Sequence, residues 1–288
     1  MGVHAPRTAR RRKLGSELKA LREAAAVSVE QAAQRIHGDN SKISRLETGR
    51  QRITRLELDA LLELYALRDE HLRSGLVALA TEARKRGWWR QYSELLRSDF
   101  QEVLSLESDA ATIQAFQPML IPGLLQTPAY ATAVLRELTP GFSEEELDSY
   151  LSIRMARQEI FTKPDPPHYL CVLTEGALRQ EVGGAEAQAQ QLCHLRKMSK
   201  PPQLTIQVLP YAQGVHVGMD GPFSIYSYPD PMDLDVVGVE YLDGKLYLEE
   251  ERPVSRYRMA FDQLRSCALS SRQSLELISH IARDLESR

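Results

Sequence analysis

The 288 residues suffice for one large domain or two ordinary ones, and an apolar content of 43% fills a hydrophobic core, which excludes a disordered or fibrous chain. Three widely spaced cysteines, Cys171, Cys193 and Cys267, form no C-x-x-C pair, so neither a disulfide framework nor a zinc site is indicated, and no apolar run approaches the about 18 residues of a membrane span. The net charge of −3 hides a polarity: residues 1–60 hold 13 Lys and Arg against 7 Asp and Glu, so the basic end is the N-terminal one.

This asymmetry indicates an N-terminal module for a polyanion joined to a domain with another task. Odd, unpaired cysteines fit a reducing cytoplasm. The opening RTARRRKLG is superficially like an export signal, but GSELKALRE follows it where an apolar run is needed.

The chain then punctuates itself densely. Leu14, Leu18, Leu21 and Ala25 make one apolar stripe of a first helix. Ser28-x-x-Gln31 reads as a capping box opening a short second helix, whose inner face is Val29, Ala32, Ala33 and Ile36. Gly38 ends it. Asp39 caps a third helix with Ile43 and Leu46 facing inward, and Gly49 supplies its left-handed stop. Thr54-x-x-Glu57 is a second capping box, followed by Leu58, Leu61, Leu62 and Tyr65 along a fourth helix. Two short helices joined by a tight turn, with others behind them, make a helix-turn-helix.

On the third helix Asn40, Ser41, Ser44, Arg45 and Thr48 face away from the core. Asn and Arg present the bidentate geometry that reads adenine and guanine edges, and small Ser admits a close backbone, so Asn40, Ser41, Ser44 and Arg45 are expected to read bases. Arg50, Arg52 and Arg55 follow, with Lys42 beside them and Arg10, Arg11, Arg12 and Lys13 as a basic arm. All of these are expected at phosphates.

The segment LGSELKALREAAAVSVEQAAQRIHGDNSKISRLETGRQRIT resembles the helix-turn-helix of the Cro/phage-repressor, or xenobiotic-response-element, family, most specifically through SKISRLETGR. That resemblance implies base reading by Asn40, Ser41 and Arg45, phosphate contacts by Arg52 and Arg55, and a structural pair between Arg22 and Glu47. The sequence departs from the family pattern at Val29, where many members have glutamine, and at His37, where the turn usually opens with glycine.

Leu72, Leu76 and Leu79 continue as a helix over 69–86, and Trp88 and Trp89 then mark a hinge. Helical patterning resumes to about residue 160 through FQEVLSLESDAATI, LIPGLLQTPAYATAVL and a Ser143-x-x-Glu146 start. Beyond 165 come the short β-rich runs HYLCVLTE, LTIQVLP, FSIYSYP and DVVGVEYL, and Asp243-Gly244 joins the last to KLYLEE as a hairpin. A helix near 185–198 and two more from about 253 surround them. The expected architecture is an all-α helix-turn-helix domain over 1–68, a connecting helix and hinge over 69–92, and a larger α+β domain over 93–288 with a mainly antiparallel sheet.

ARKRGWWRQY, QPMLIPGLLQTPAYA, VLPYAQGVHVGMDGPFSIY, VEYLDGKLYLE and YRMAFDQLRSCALS resemble the C-terminal domain of actinobacterial antitoxin-like transcriptional regulators. This resemblance implies a homodimeric regulator working with a small protein encoded nearby, and it carries no catalytic role. No cofactor or metal is expected: the histidines are scattered, with no H-E-x-x-H. Cys171 facing His216 would suit a thiol nucleophile, but a buried cysteine in a strand is the better reading. Two functions from different classes remain. One is a sequence-specific, double-stranded-DNA-binding transcriptional regulator, not an enzyme, whose C-terminal domain dimerises and senses a ligand or small partner protein. The other is an enzyme of unknown reaction with a DNA-targeting module. A pure protein-interaction antitoxin is a third variant, with less need for Asn40 and Arg45.

Overall fold

The computed structural model describes residues 9–82, 89, 92, 95–228, 235–242 and 244–287, without the side chains of residues 9, 10, 81, 82, 98 and 99. Trp88 and Asp243 lie outside the described residues. The chain forms two compact units, divided at residue 109.

The first unit is helical: α1 Ala9–Ala24, α2 Val29–Arg35, α3 Asn40–Glu47, α4 Arg55–Leu64, α5 Glu70–Glu82 and α6 Ser98–Asp109. Its core joins Leu14 and Leu18 of α1, Ala32 and Ala33 of α2, Ile43 and Leu46 of α3, and Leu58, Leu61 and Leu62 of α4. Leu76, Leu79 and Ala80 of α5 belong to the same cluster. The boundary expected after residue 68 therefore falls inside one packed unit, because α5 buries its apolar stripe there instead of bridging two domains.

Each of the first four helices ends in the same way. Val27, Gly38, Arg50 and Leu67 donate their amides to the carbonyls of Arg22, Ala33, Arg45 and Leu62, and the residue before each donor is left-handed. This is the Schellman stop, which satisfies carbonyls that a helix end leaves open. Three of these left-handed residues, Ala26, His37 and Ala66, are not glycine. The fourth, Gly49, has φ +68°, and a methyl group there would lie 2.8 Å from the Arg12 amide nitrogen. Gly15 is as confined, since a Cβ on it would meet the carbonyl oxygens of Leu46 and Glu47 at 2.5 Å. Backbone meets backbone where α1 crosses the end of α3, and only glycine fits.

One ion pair fastens the same crossing. Arg22 donates from Nε to Glu47 Oε1 at 2.5 Å and from Nη2 to Oε2 at 3.1 Å, while its Nη1 donates to the Val27 carbonyl. Both side chains are about nine-tenths buried. The hydrogen bond to Glu47 holds the Arg22 guanidinium above its usual pKa. Nearby Tyr65 is pushed up to about 12, by burial first and by the Glu47 charge second.

The second unit is α+β. Its strands are β1 Thr112–Gln117, β2 His168–Thr174, β3 Leu204–Leu209, β4 Phe223–Ser227, β5 Val236–Tyr241 and β6 Gly244–Leu248, in the order β3-β2-β1-β4-β5-β6. Its helices are α7 Pro128–Leu138, α8 Glu144–Arg157, α9 Glu175–Arg179, α10 Gly184–Met198, α11 Glu251–Cys267 and α12 Ser271–Glu286. Antiparallel pairings predominate, at β1–β4, β4–β5 and β5–β6, while β1–β2 and β2–β3 are parallel. The parallel pairs arise because helical crossovers separate those strands, whereas Tyr241 faces Gly244 across a tight hairpin. β1 is a correction to the sequence reading, which ran a helix through residues 112–113. On one face Phe116, Val172, Ile225 and Val237 pack with Val254, Phe261 and Leu264 of α11.

Buried glutamines hold the loop between β1 and α7. Gln126 donates to the Ile121 carbonyl at 2.8 Å, Gln191 donates to that of Leu125 at 2.7 Å, and the Thr127 amide donates back to Gln191 at 2.6 Å. Arg154 donates to Gln126 Oε1 at 2.7 Å, and burial, with the Arg157 charge second, brings its pKa down to about 10.

Two expectations follow. Replacing Gly49 by Ala costs about 3 kcal/mol, adding left-handed strain to backbone overlap, whereas Ala66→Gly stabilises by under about 1 kcal/mol. Hydrogen exchange of the amides of residues 9–82 in the full chain measures both. Arg22→Met and Glu47→Leu each cost about 3 kcal/mol, because each strands a buried charge, and the double variant costs much less than their sum. A double-mutant cycle that returns additive losses refutes the coupling.

Candidate nucleic-acid interface

The polar edge is assembled by caps and core contacts. Asp39 caps α3, accepting the Lys42 amide at 2.6 Å, and Ile43 and Leu46 turn inward with almost no exposure. That rotation leaves Asn40, Ser41, Ser44 and Thr48 exposed on the opposite side. The Ser28 box that opens α2 is closed in both directions, so the helix leading into the turn starts at a fixed residue. The turn itself passes through His37 at φ 51°.

Arg45 is half-exposed and held. Its Nε donates to Gln51 Oε1 at 2.8 Å, and an Nη lies 4.0 Å from the Asp39 carboxylate. Gln51 was not singled out in the sequence. The signal that finds it is Gly49: its left-handed stop folds the chain back, and the amides of residues 50 and 51 both reach the Arg45 carbonyl. Held through Nε, the guanidinium keeps its outer N–H groups for a planar acceptor pair.

The basic residues divide into those that stand outward and those engaged within the unit. Arg50, Arg52 and Arg55 are exposed beyond the end of α3, with Arg55 also contacting Asp59 at 2.7 Å. Lys42 is tied at 2.5 Å to Glu57, which also completes the Thr54 capping box. Burial raises the Glu57 pKa, but the hydrogen bonds from Lys42 and Thr54 outweigh it and leave the carboxyl below its ordinary value.

The basic arm is corrected more strongly. α1 begins at Ala9, so residues 10–13 are wound into its first turns and do not extend as an arm. Arg11 is 4% exposed and shares the inner face with Leu14 and Leu18, where it cannot meet a phosphate. Arg12 pairs with Glu102 at 2.5 Å, and Lys13 with Glu17 at 2.5 Å. The Arg10 side chain lies outside the described residues.

In the second unit, Cys171 is buried in β2, and burial pushes its thiol pKa strongly upward, the reverse of an activated nucleophile. His216 instead packs edge-on against Phe116 and accepts the Gly218 amide through Nδ1. Among the described residues no cluster of His, Cys, Asp and Glu is placed to hold a metal ion, and no helix is long and apolar enough to cross a membrane.

Residues 13–76 match the profile of a helix-turn-helix domain, which covers all of α2, α3 and α4 and fits a DNA-binding regulator rather than an enzyme. No curated protein and no solved structure is significantly similar to the chain. Residues 100–280, more than half of the chain, match the family described as Domain of unknown function (DUF5753), and the chain belongs to that family.

Proposed function

We propose that this protein is a sequence-specific, homodimeric transcriptional regulator of the Cro/phage-repressor type that works in the cytoplasm and reads the major groove with α3. The observation that carries this is the exposed edge of Asn40, Ser41, Ser44 and Arg45 on a helix whose start, rotation and end are each fixed by a cap, a core contact and a left-handed glycine. Fixing the backbone before binding lowers the ordering cost of the complex. Asn40 and Arg45 supply bidentate contacts to base edges, and Arg50, Arg52 and Arg55 hold flanking phosphates. Lys42 adds a phosphate contact only when its bond to Glu57 opens, so its contribution is smaller. The α+β domain joins two copies and senses a ligand or small partner protein, as the resemblance to antitoxin-like regulators implies. One helix-turn-helix spans only a few base pairs. Two recognition helices about 34 Å apart, or a multiple of that, supply the needed selectivity.

Selection from a random duplex pool, followed by titrations at several salt concentrations, tests this reading. Arg45→Ala costs about 1–3 kcal/mol on the selected site and relaxes preference at one base position. Arg52→Ala weakens binding to all sequences alike and lowers the salt slope by about one phosphate's worth, and Lys42→Ala does so less. If the wild-type protein enriches no sequence, or Arg45→Ala leaves the enriched motif unchanged, α3 is not the reader.

A further inference from the structure

α10 and α12 pack side by side, and an open trough of about 790 Å³ runs along the valley between them. Arg196 and Lys197 of α10 and Lys200 just beyond its end line one side, and Arg272 and Arg283 of α12 the other, with Glu276 as the one carboxylate in the lining. Glu276 pairs with Arg272 at 2.8 Å. The other four cations are exposed and make no ion pair within the described residues. The floor is different in character, formed by Leu275, Cys193 and Ser279. Several like charges lining one valley concentrate positive potential there, so the trough favours an anionic occupant. Its floor also offers an apolar contact, which a phosphate backbone does not use.

The same unit carries a surface of the complementary kind. At the end of α7 and the start of α8, Leu138 is exposed, and Phe142, packed on the Tyr150 ring at 5.1 Å, is partly so. Around them stand Glu137, Glu145 and Asp148, all exposed and without an ion pair among the described residues. Glu144 and Glu146 are already engaged, with Arg136 and with the Ser143 amide. The result is an acidic knob with an apolar centre. α7 packs against both α8 and α10, so knob and trough belong to neighbouring helices of one unit. A twofold axis relating two copies pairs each trough with the other copy's knob, the reciprocal contact of a closed dimer.

We propose that the α10–α12 trough is a self-association site that binds the acidic segment 137–148 of a second copy of this chain. The proposal rests on the dimer of the reading above and gives it an interface. It is tested with the full-length protein by sedimentation at micromolar concentrations, with two charge reversals, both in the second unit. One carries Lys197→Glu and Arg283→Glu in the trough, and the other Glu145→Lys and Asp148→Lys in the knob. Each variant alone dissociates at least about tenfold more readily than wild type. Mixed in equal amounts the two recover the dimer, because both reciprocal contacts of the mixed pair then join opposite charges, and this recovery also shows that both variants are folded. Raising the salt from about 0.05 to 0.5 M weakens the wild-type dimer. A wild-type dimer that both variants retain overturns the interface while leaving dimerisation standing, whereas a monomeric wild-type protein overturns both. A trough variant that keeps the dimer but loses DNA affinity overturns the proposal in favour of a nucleic-acid contact.

Discussion

The helical unit depends on one close approach, where the backbone of α1 passes over the end of α3 with no side chain between them. Gly15 and Gly49 make room for it from opposite sides, and the Arg22–Glu47 pair closes it two turns further along α1. Everything outward on α3 follows from this contact. Ile43 and Leu46 fix its rotation, but the crossing fixes its position along its own axis, and with it the depth at which Asn40 and Arg45 stand out from the unit. A side chain at either glycine moves α3 bodily, so the constraint acts on the whole polar edge at once.

The second unit is held in a different way. Its connection from β1 to α7 adds to its buried Ile121, Leu124 and Leu125 a set of buried amides: Gln191 both gives hydrogen bonds to the backbone and receives them from it, and Gln126 gives one to the backbone and receives one from the Arg154 guanidinium. Such a network stabilises only when complete, since any unmet group in it costs more than the bond it replaces contributes. The loop is therefore specified residue by residue, while the α11 face of the sheet is specified mainly by volume and hydrophobicity.

Much of the helical unit was legible because its signals are local. The boxes at Ser28 and Thr54, the cap at Asp39 and the stop at Gly49 each act within four residues, and all four occur where the sequence places them. The strand Thr112–Gln117 was not legible, because its partner in β2 begins 56 residues later and TIQAFQ has too few residues to declare a period. Arg11 misled for a different reason. Arg11 stands three and seven residues before Leu14 and Leu18, so the same helical stripe carries it inward, and residue type in a row of four basic residues hid that spacing. The expected reading residues stood out in the sequence by type, whereas Gln51, which steadies one of them, is visible only after the chain has folded back.

That last residue has an evolutionary consequence. Arg45 and Gln51 sit on different elements, joined by one hydrogen bond of 2.8 Å. In the proposed role of Arg45, position 51 selects among the orientations available to the guanidinium through that bond. A lineage can therefore shift its operator preference by drift at residue 51 while α3 stays unchanged, and two paralogues with identical recognition helices need not share target genes.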